Sequence, residues 1–298
     1  MDDACAQPNQ TAAPYDAIFF DLDGTLLPMD VPDFLERYYF HLGVLARERG
    51  FDASVMTEAL NEGMRVMGDH APGITNIEAF WGMFERRFYE LEDTWADRQA
   101  IEEFFDEFYR TRFDLAGEHI VADPSAQRAV STLAAKGYPL YLTTMPLFPR
   151  EAVLARLRWG KVDAGLFARI TSCENSTAVK PQVAYYYENL FIAQTEPART
   201  LMVGNNTLDD LVCLNAGMDA YLVTDHLINT NGYNIDSVKH GTLAQFCTFA
   251  ESLPPCTSTK ALAGDPMRSP LEDDSAGIAW SRSGDRNLHP HADWEDTL

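Results

Sequence analysis

The residues of this sequence that could carry chemistry follow short apolar runs, at the positions where β-strands would end. Carboxylate, hydroxyl, ammonium and amide side chains follow four such runs: Asp21 and Asp23, Thr144, Lys180, and Asn206 with Asp210. Open parallel sheets bind their ligands beyond the carboxyl ends of the strands. We therefore expect these side chains to meet at one edge of one sheet.

Strand and helix patterns alternate from about residue 120 onward, which is typical of a parallel α/β sheet. Apolar runs predict strands at 17–20, 139–143, 167–172, 200–203 and 220–223. Helical patterns lie between and after these strands, at 124–136, 149–159, 181–193, 207–216 and 242–252. The predicted fold class is a doubly wound parallel sheet.

The segment between the first two strands carries a different pattern. Its apolar residues recur every three or four positions, which predicts helices over 31–49, 53–67, 76–92 and 97–111. We therefore predict an α/β core and an all-helical insertion, with the core at 15–29 and 116–253 and the insertion at 30–115. The end segments 1–14 and 254–298 contain few apolar residues to bury and are predicted to be disordered.

Four motifs together resemble those of the haloacid dehalogenase-like superfamily. Residues 21–25, Asp-Leu-Asp-Gly-Thr, resemble its DxDGT signature, and Thr144 is similar to its second motif. Lys180-Pro181 is similar to the third motif, and residues 204–210 are similar to the fourth, an acidic loop between a strand and a helix. The resemblance covers residues 15–225 and implies a Rossmann-like core with an inserted helical cap.

The resemblance implies hydrolysis of a small phosphorylated metabolite through an aspartyl-phosphate. Asp21 is the expected nucleophile, because a carboxylate that attacks phosphorus divides one difficult hydrolysis into two easier steps. Asp23 is expected to protonate the leaving oxygen and then to deprotonate water. The Thr144 hydroxyl would bind phosphoryl oxygens, and Lys180 would offset negative charge.

Mg²⁺ is the cofactor that the resemblance implies. This cation prefers oxygen ligands and usually keeps several waters. Asp21 and Asp210 would supply carboxylates, the main-chain carbonyl of Asp23 is implied as a ligand, and Asn206 is the remaining candidate.

Two positions depart from the family pattern. Asn206 stands where the family usually has an acid, so we expect weaker metal binding. Met145 stands where asparagine or serine often follows the motif threonine, which removes a potential hydrogen bond to phosphate. Met145 and Gly24 are nevertheless expected to lie around the phosphate.

These departures leave other functions open. One is a binding or regulatory protein that keeps the fold but turns over poorly. A second is a phosphotransferase, such as a sugar-phosphate mutase, that passes the phosphoryl group to a hydroxyl. A third is a receiver-type signalling domain, against which Asp23 and the long helical insertion argue.

Composition excludes several other classes of function. The formal net charge of −22 repels nucleic acid and anionic membrane surfaces, so neither is expected as a partner. The five cysteines lack CxxC spacing, and we find no signal peptide and no apolar run long enough to span a bilayer. A soluble cytoplasmic protein is expected, whereas the substrate, the oligomeric state and any role of the acidic C-terminal segment are left open.

Overall fold

A single parallel sheet organises the described part of the chain, which the computed structural model gives as residues 13–71, 73–91 and 97–257. Its strands lie in the order β3-β2-β1-β4-β5-β6. They are β1 (Ala17–Phe20), β2 (Leu140–Leu142), β3 (Phe167–Ile170), β4 (Thr200–Gly204), β5 (Asp219–Val223) and β6 (Lys239–Gly241). All of β1 is buried, because it pairs with β2 and β4 along its edges and its side chains pack into apolar clusters on both faces of the sheet. The doubly wound parallel sheet predicted from the sequence is confirmed.

Helices flank both faces of this sheet. They are α6 (Pro124–Ala135), α7 (Arg150–Trp159), α8 (Val183–Ala193) and α9 (Leu243–Ser252). One buried apolar cluster joins α6 and α9 to one face of the sheet, and a second joins α8 to the other face. The carboxyl ends of β1, β2 and β4 are therefore held in fixed register above a core that is closed on both sides.

Five helices lie between β1 and α6. They are α1 (Val31–Glu48), α2 (Ala53–Met67), α3 (Asn76–Leu91), α4 (Arg98–Thr111) and α5 (Phe113–Gly117). Three of them begin after an aspartate whose side chain accepts a hydrogen bond from the first turn: Asp30, Asp52 and Asp97. These caps explain why the observed starts lie within one residue of the predicted ones. The short α5 was not predicted.

The helical segment is attached to the loops that follow β2 and β3. The backbone amides of Asn76 and Ile77 donate to the carbonyls of Ser176 and Cys173. The buried carboxamide of Asn76 donates to the carbonyls of Pro146 and Ala178, at 3.2 and 3.3 Å. The helices therefore lie at the carboxyl edge of the sheet, where the candidate catalytic and metal-binding residues were expected.

The predicted helix over 207–216 is wrong. A turn occupies residues 207–210, and a short 3₁₀ helix covers Leu211–Ala216. The Asn206 carboxamide oxygen accepts from the amides of Leu208 and Asp209, and Asp210 accepts from those of Asn205 and Asn206. These local side-chain bonds satisfy the amides that an α-helix would leave open at its start. The exposed edge strand β6 was not predicted either.

The predicted disordered ends lie largely outside the described residues, at 1–12 and 258–298. The part of each end that is described packs on the core. Ala13 is buried, and the carbonyl of Pro254 accepts a hydrogen bond from the hydroxyl of Tyr138. Within the described ranges, no helix is both long and apolar enough to cross a membrane.

A buried acid on α8 gives a testable pH dependence. Glu188 lies beside Arg169 and accepts from the amide and hydroxyl of Thr177. Burial raises the pKa of Glu188 to about 7, although the charge of Arg169 opposes the shift. Because the folded protein keeps a proton that the unfolded chain loses near pH 4.5, the free energy of unfolding falls as pH rises between these values.

We expect Glu188→Gln to reduce this fall by up to about 3 kcal/mol. Urea unfolding of both proteins at about pH 5 and about pH 8 measures the difference. Equal changes in unfolding free energy for the two proteins would contradict the assignment.

Candidate active site

Asp21 follows the last residue of β1 and lies in the centre of the carboxyl edge. Its amide donates to the carbonyl of Val203 on β4, and its side chain is nearly closed to solvent. One carboxylate oxygen, Oδ1, accepts from the ammonium of Lys180 at 2.7 Å. The other, Oδ2, lies 3.2 Å from the hydroxyl of Thr25.

Lys180 joins two of the predicted acids. Its ammonium also lies 2.7 Å from Oδ1 of Asp210, so one cation faces two carboxylates. Oδ2 of Asp210 accepts from two backbone amides at 2.9 Å, and all three side chains are buried. Residues distant in the sequence thus form one ionic cluster, at the place expected from the strand ends.

The electrostatics of the cluster follow from burial. Burial raises the pKa of Asp21 to about 7; the charge of Lys180 opposes the shift, while the carboxylates of Asp210 and Asp23 add to it. Burial also disfavours the Lys180 ammonium, but Asp21 and Asp210 raise its pKa well above its usual value. The lysine therefore stays charged, and an additional cation near Asp21 would keep that carboxylate ionised.

Asp23 has a partner that no motif predicted. One of its oxygens, Oδ2, accepts from Nη1 of Arg156 on α7, and the guanidinium of Arg156 is buried. Burial raises the pKa of Asp23, and the charges of Arg156 and Lys180 oppose the shift. Arg156 was missed because a single arginine within a helix carries no sequence signal of a site.

Thr144 follows β2, and hydrogen bonds hold its main chain but not its hydroxyl. Its carbonyl accepts from Thr171 at 2.9 Å and from the phenol of Tyr185 at 2.7 Å. Its buried Oγ1 has no hydrogen-bond partner within the described part of the chain. Met145 is half-buried, and its side chain packs against the main apolar cluster. Thr144 thus offers an open donor, whereas the Met145 side chain offers none.

The structure brings Asn205 to the cluster instead of Asn206. The Asn206 carboxamide binds its own loop, since its oxygen accepts from two amides and its nitrogen donates to Asp209. The Asn205 oxygen lies 3.2 Å from the Thr25 hydroxyl that also faces Asp21. Two consecutive asparagines at a strand end look equivalent in the sequence. Only the structure shows which of the two side chains faces the cluster.

The donor set can be tested for Mg²⁺. Among the described residues, no group of three or more histidine, cysteine, aspartate or glutamate side chains is arranged to hold a metal ion. The single proton of Thr25 cannot satisfy both Asp21 Oδ2 and Asn205 Oδ1, so two acceptor oxygens compete for one donor. Adjacent acceptor oxygens suit a hard cation. Asp21 and Asn205 therefore fit a Mg²⁺ site that contains a single side-chain carboxylate, and Asp210 keeps one acceptor position on Oδ1.

Gly24 positions the Asn205 side chain. Its φ of +77° lies in the left-handed region, and a Cβ atom there would come within 2.2 Å of the Asn205 amide nitrogen. We expect Gly24→Ala to cost about 1–3 kcal/mol of unfolding free energy and to reduce Mg²⁺ affinity. Gly50→Ala is the matched control, because Gly50 has φ +82° and a Cβ atom added there would meet nothing within 4 Å. Thermal unfolding measures the loss of stability in both variants. Equal losses would show that Gly24→Ala acts through backbone strain alone and not through the Asn205 side chain.

The chain belongs to the haloacid dehalogenase-like hydrolase family, whose model matches residues 15–217. It is a hydrolase of that family with the fold of solved members. The HAD phosphatase from Thermococcus onnurineus is 18% identical, with a TM-score of 0.50 over 80% of this chain and 99% of that one. The 2-haloacid dehalogenase from Pseudomonas syringae pv. Tomato DC3000 is 19% identical, with a TM-score of 0.52 over 78% and 96%. At such low identities, this structural likeness shows a shared fold and nothing more. The sequence matches no curated protein.

Proposed function

We propose that the protein is a Mg²⁺-dependent phosphohydrolase that acts on a small phosphorylated metabolite through an aspartyl-phosphate at Asp21. The observation that supports this proposal is the contact of one buried ammonium, that of Lys180, with both Asp21 and Asp210 at 2.7 Å. A carboxylate held in this way is restrained in orientation and partly neutralised, as a nucleophile toward a phosphate dianion must be.

The proposed reaction has two steps. In the first, an oxygen of Asp21 forms a bond to phosphorus, the bond from phosphorus to the leaving oxygen breaks, and Asp23 gives that oxygen a proton. In the second, Asp23 takes a proton from water, the water oxygen bonds to phosphorus, and the Asp21 carboxylate is released. Lys180 and the Thr144 hydroxyl would bind the phosphoryl oxygens in both steps.

Asp21 and Asn205, with the main-chain carbonyl of Asp23, would hold the Mg²⁺ ion. When bound, the ion would neutralise charge on the phosphoryl group and keep the Asp21 carboxylate ionised. Asp210 would support the site by holding Lys180 and the amides of the loop that carries Asn205.

The helices α1 to α5 are proposed to act as a cap. Asp21, Thr144, Lys180 and Asp210 are each at most 7% exposed, and in the proposed cycle the helices move away from the sheet edge to admit the substrate. A cavity of about 310 Å³ lies between these helices and the loops after β2 and β3. None of the four cluster residues lines it, but Phe148 does, and the guanidinium of Arg156 lies over the ring of Phe148. That volume suits a small molecule.

The chemistry of this cavity limits the substrate. Aromatic residues line it, among them Tyr38, Phe80, Trp81, Tyr109 and Phe148. The described residues around it also include four acids, Glu102, Asp106, Glu151 and Glu174, and no lysine, arginine or histidine. We therefore propose a phosphate monoester whose remaining part is apolar and not anionic, which disfavours bisphosphates.

A screen of phosphate esters tests the proposal. Aromatic and alkyl monoesters would be compared with bisphosphates, each with Mg²⁺ and with excess EDTA, and released phosphate would be measured. Hydrolysis of monoesters that needs Mg²⁺ is the expected result. Transfer of the phosphoryl group to a sugar hydroxyl, or no phosphate release from any ester, would count against hydrolysis.

A substitution at Asn205 tests the metal site. Asn205→Asp is expected to tighten Mg²⁺ binding by roughly tenfold or more, because a second carboxylate would join Asp21. Calorimetric titration with Mg²⁺ measures the affinity. Asn206→Asp is the matched control and is expected to change it less, since that side chain binds its own loop. A larger gain at Asn206 than at Asn205 would contradict the proposed ligand set.

A further inference from the structure

Arg156 is a buried cation beside the proposed site. It projects from α7, is 1% exposed, and places its guanidinium 4.8 Å from the centre of the Phe148 ring. Its Nη1 pairs with Asp23, and its Nε bonds weakly to a carbonyl of its own helix, that of Ala152, at 3.4 Å. Removing a guanidinium from water is costly, and a pair with one carboxylate often does not repay that cost.

The contact between Arg156 and Asp23 is one-sided. Arginine and carboxylate groups commonly form two parallel hydrogen bonds. Here only Nη1 and Oδ2 meet, and the buried atoms Nη2 of Arg156 and Oδ1 of Asp23 have no hydrogen-bond partner among the described residues. The hydroxyl oxygen of Thr144 is a third such atom. Arg156 and Thr144 thus each have an unused donor, a guanidinium N–H and a hydroxyl, and Asp23 has an unused acceptor.

This set of atoms matches the groups of the proposed reaction. A phosphoryl group presents oxygens that accept hydrogen bonds, and its leaving alcohol or attacking water presents a hydroxyl that can donate. We propose that Arg156 is a further phosphoryl-binding residue, whose Nη2 donates to the transferred group while Nη1 holds Asp23 toward the leaving oxygen. The inference rests on the proposed function, because it places the phosphoryl group beside Asp21.

The charge balance supports the same assignment. The cluster contains the carboxylates of Asp21, Asp23 and Asp210 and the cations of Lys180 and Arg156. Without Arg156 one cation would face three acids, and a phosphate dianion would meet a strongly negative site. With Arg156, two cations face the three carboxylates, so the formal charge of the cluster is −1 instead of −2 and an anion is repelled less before any metal binds.

Binding of inorganic phosphate in EDTA, measured by calorimetry, tests this proposal without turnover or metal. Wild-type protein is expected to bind phosphate, and Arg156→Met is expected to bind it roughly 10- to 100-fold more weakly. Arg156→Lys keeps the charge but not the forked geometry and is expected to recover part of the loss. Arg158→Met is the control, because Arg158 lies on the same helix with its side chain 63% exposed.

Two results would overturn the inference. One is equal phosphate affinity in folded Arg156→Met and in wild type, even if ester hydrolysis continues. A second experiment serves if Arg156→Met does not fold. Asp23→Asn releases the guanidinium and is expected to tighten phosphate binding. This gain in affinity is expected to be smaller when Arg156→Lys is combined with Asp23→Asn. The second overturning result is an equal gain in phosphate affinity from Asp23→Asn with Arg156 and with Lys at that position, which would show that Arg156 does not bind the phosphate. Weaker binding in Arg156→Met supports the inference even if no ester is hydrolysed.

Discussion

Asp21→Asn is expected to lower the hydrolysis of a generic aryl phosphate by on the order of 10⁴-fold or more. The carboxamide fills the same space but lacks the nucleophilic oxygen, so the first bond to phosphorus cannot form. Folding should survive, because the pKa of Asp21 is raised to about 7 by burial and the substitution removes this buried charge. Lys180 keeps its contact with Asp210. Released phosphate and thermal unfolding, measured on the same preparations, check both expectations.

Asp16→Asn is the control for this variant. Asp16 precedes β1 at its opposite end and pairs with Arg199, so its loss leaves the carboxyl edge intact. Near wild-type turnover is expected for Asp16→Asn. Undiminished turnover in Asp21→Asn would refute the proposed nucleophile.

Lys180→Met is expected to destabilise the protein by about 3–5 kcal/mol at about pH 8. The substitution leaves two buried carboxylates, Asp21 and Asp210, without their common cation. Because the pKa of Asp21 would then rise further, the folded variant would hold a proton that the unfolded chain has lost. The loss of stability should therefore be larger at about pH 8 than at about pH 5. Activity is expected to fall by roughly 10²–10³-fold, as for loss of a group that binds the transition state.

Urea unfolding at the two pH values measures the stability change. Lys239→Met is the control, because Lys239 forms a surface pair with Asp219 and should cost less than about 1 kcal/mol. A cost of that size for Lys180→Met, unchanged with pH, would mean that the two carboxylates are not held by this lysine.

The fold could be predicted because its signals are local. A buried run such as 17–20 indicates a strand covered on both faces, and aspartates at 30, 52 and 97 cap helices where the apolar period begins. Residues 207–216 were harder, since their amides bond to side chains of the same loop. These bonds compete with the hydrogen bonds of an α-helix, and they depend on the directions of the Asn206 and Asp210 side chains. The spacing of apolar residues gives no information on those directions.

Those parts of the candidate site that depend only on strand topology could be predicted from the sequence. Parallel strands bring their carboxyl ends together, so Asp21, Lys180 and Asp210 meet although they are distant in sequence. Arg156 and Asn205 were not predictable, because their roles depend on side-chain direction. Arg156 reaches Asp23 from a helix that carries no motif, and Asn205 differs from its neighbour only in the face of the loop that it occupies.

Trapping the intermediate tests the central claim most directly. The wild-type protein would be mixed with an aryl phosphate and Mg²⁺, quenched with acid within the first turnover, digested and examined by mass spectrometry. A phosphoryl group on the peptide that contains Asp21, absent from Asp21→Asn, is the predicted result. Hydrolysis that proceeds with Asp21 unmodified at every quench time, or with the phosphoryl group on another residue, would contradict the mechanism.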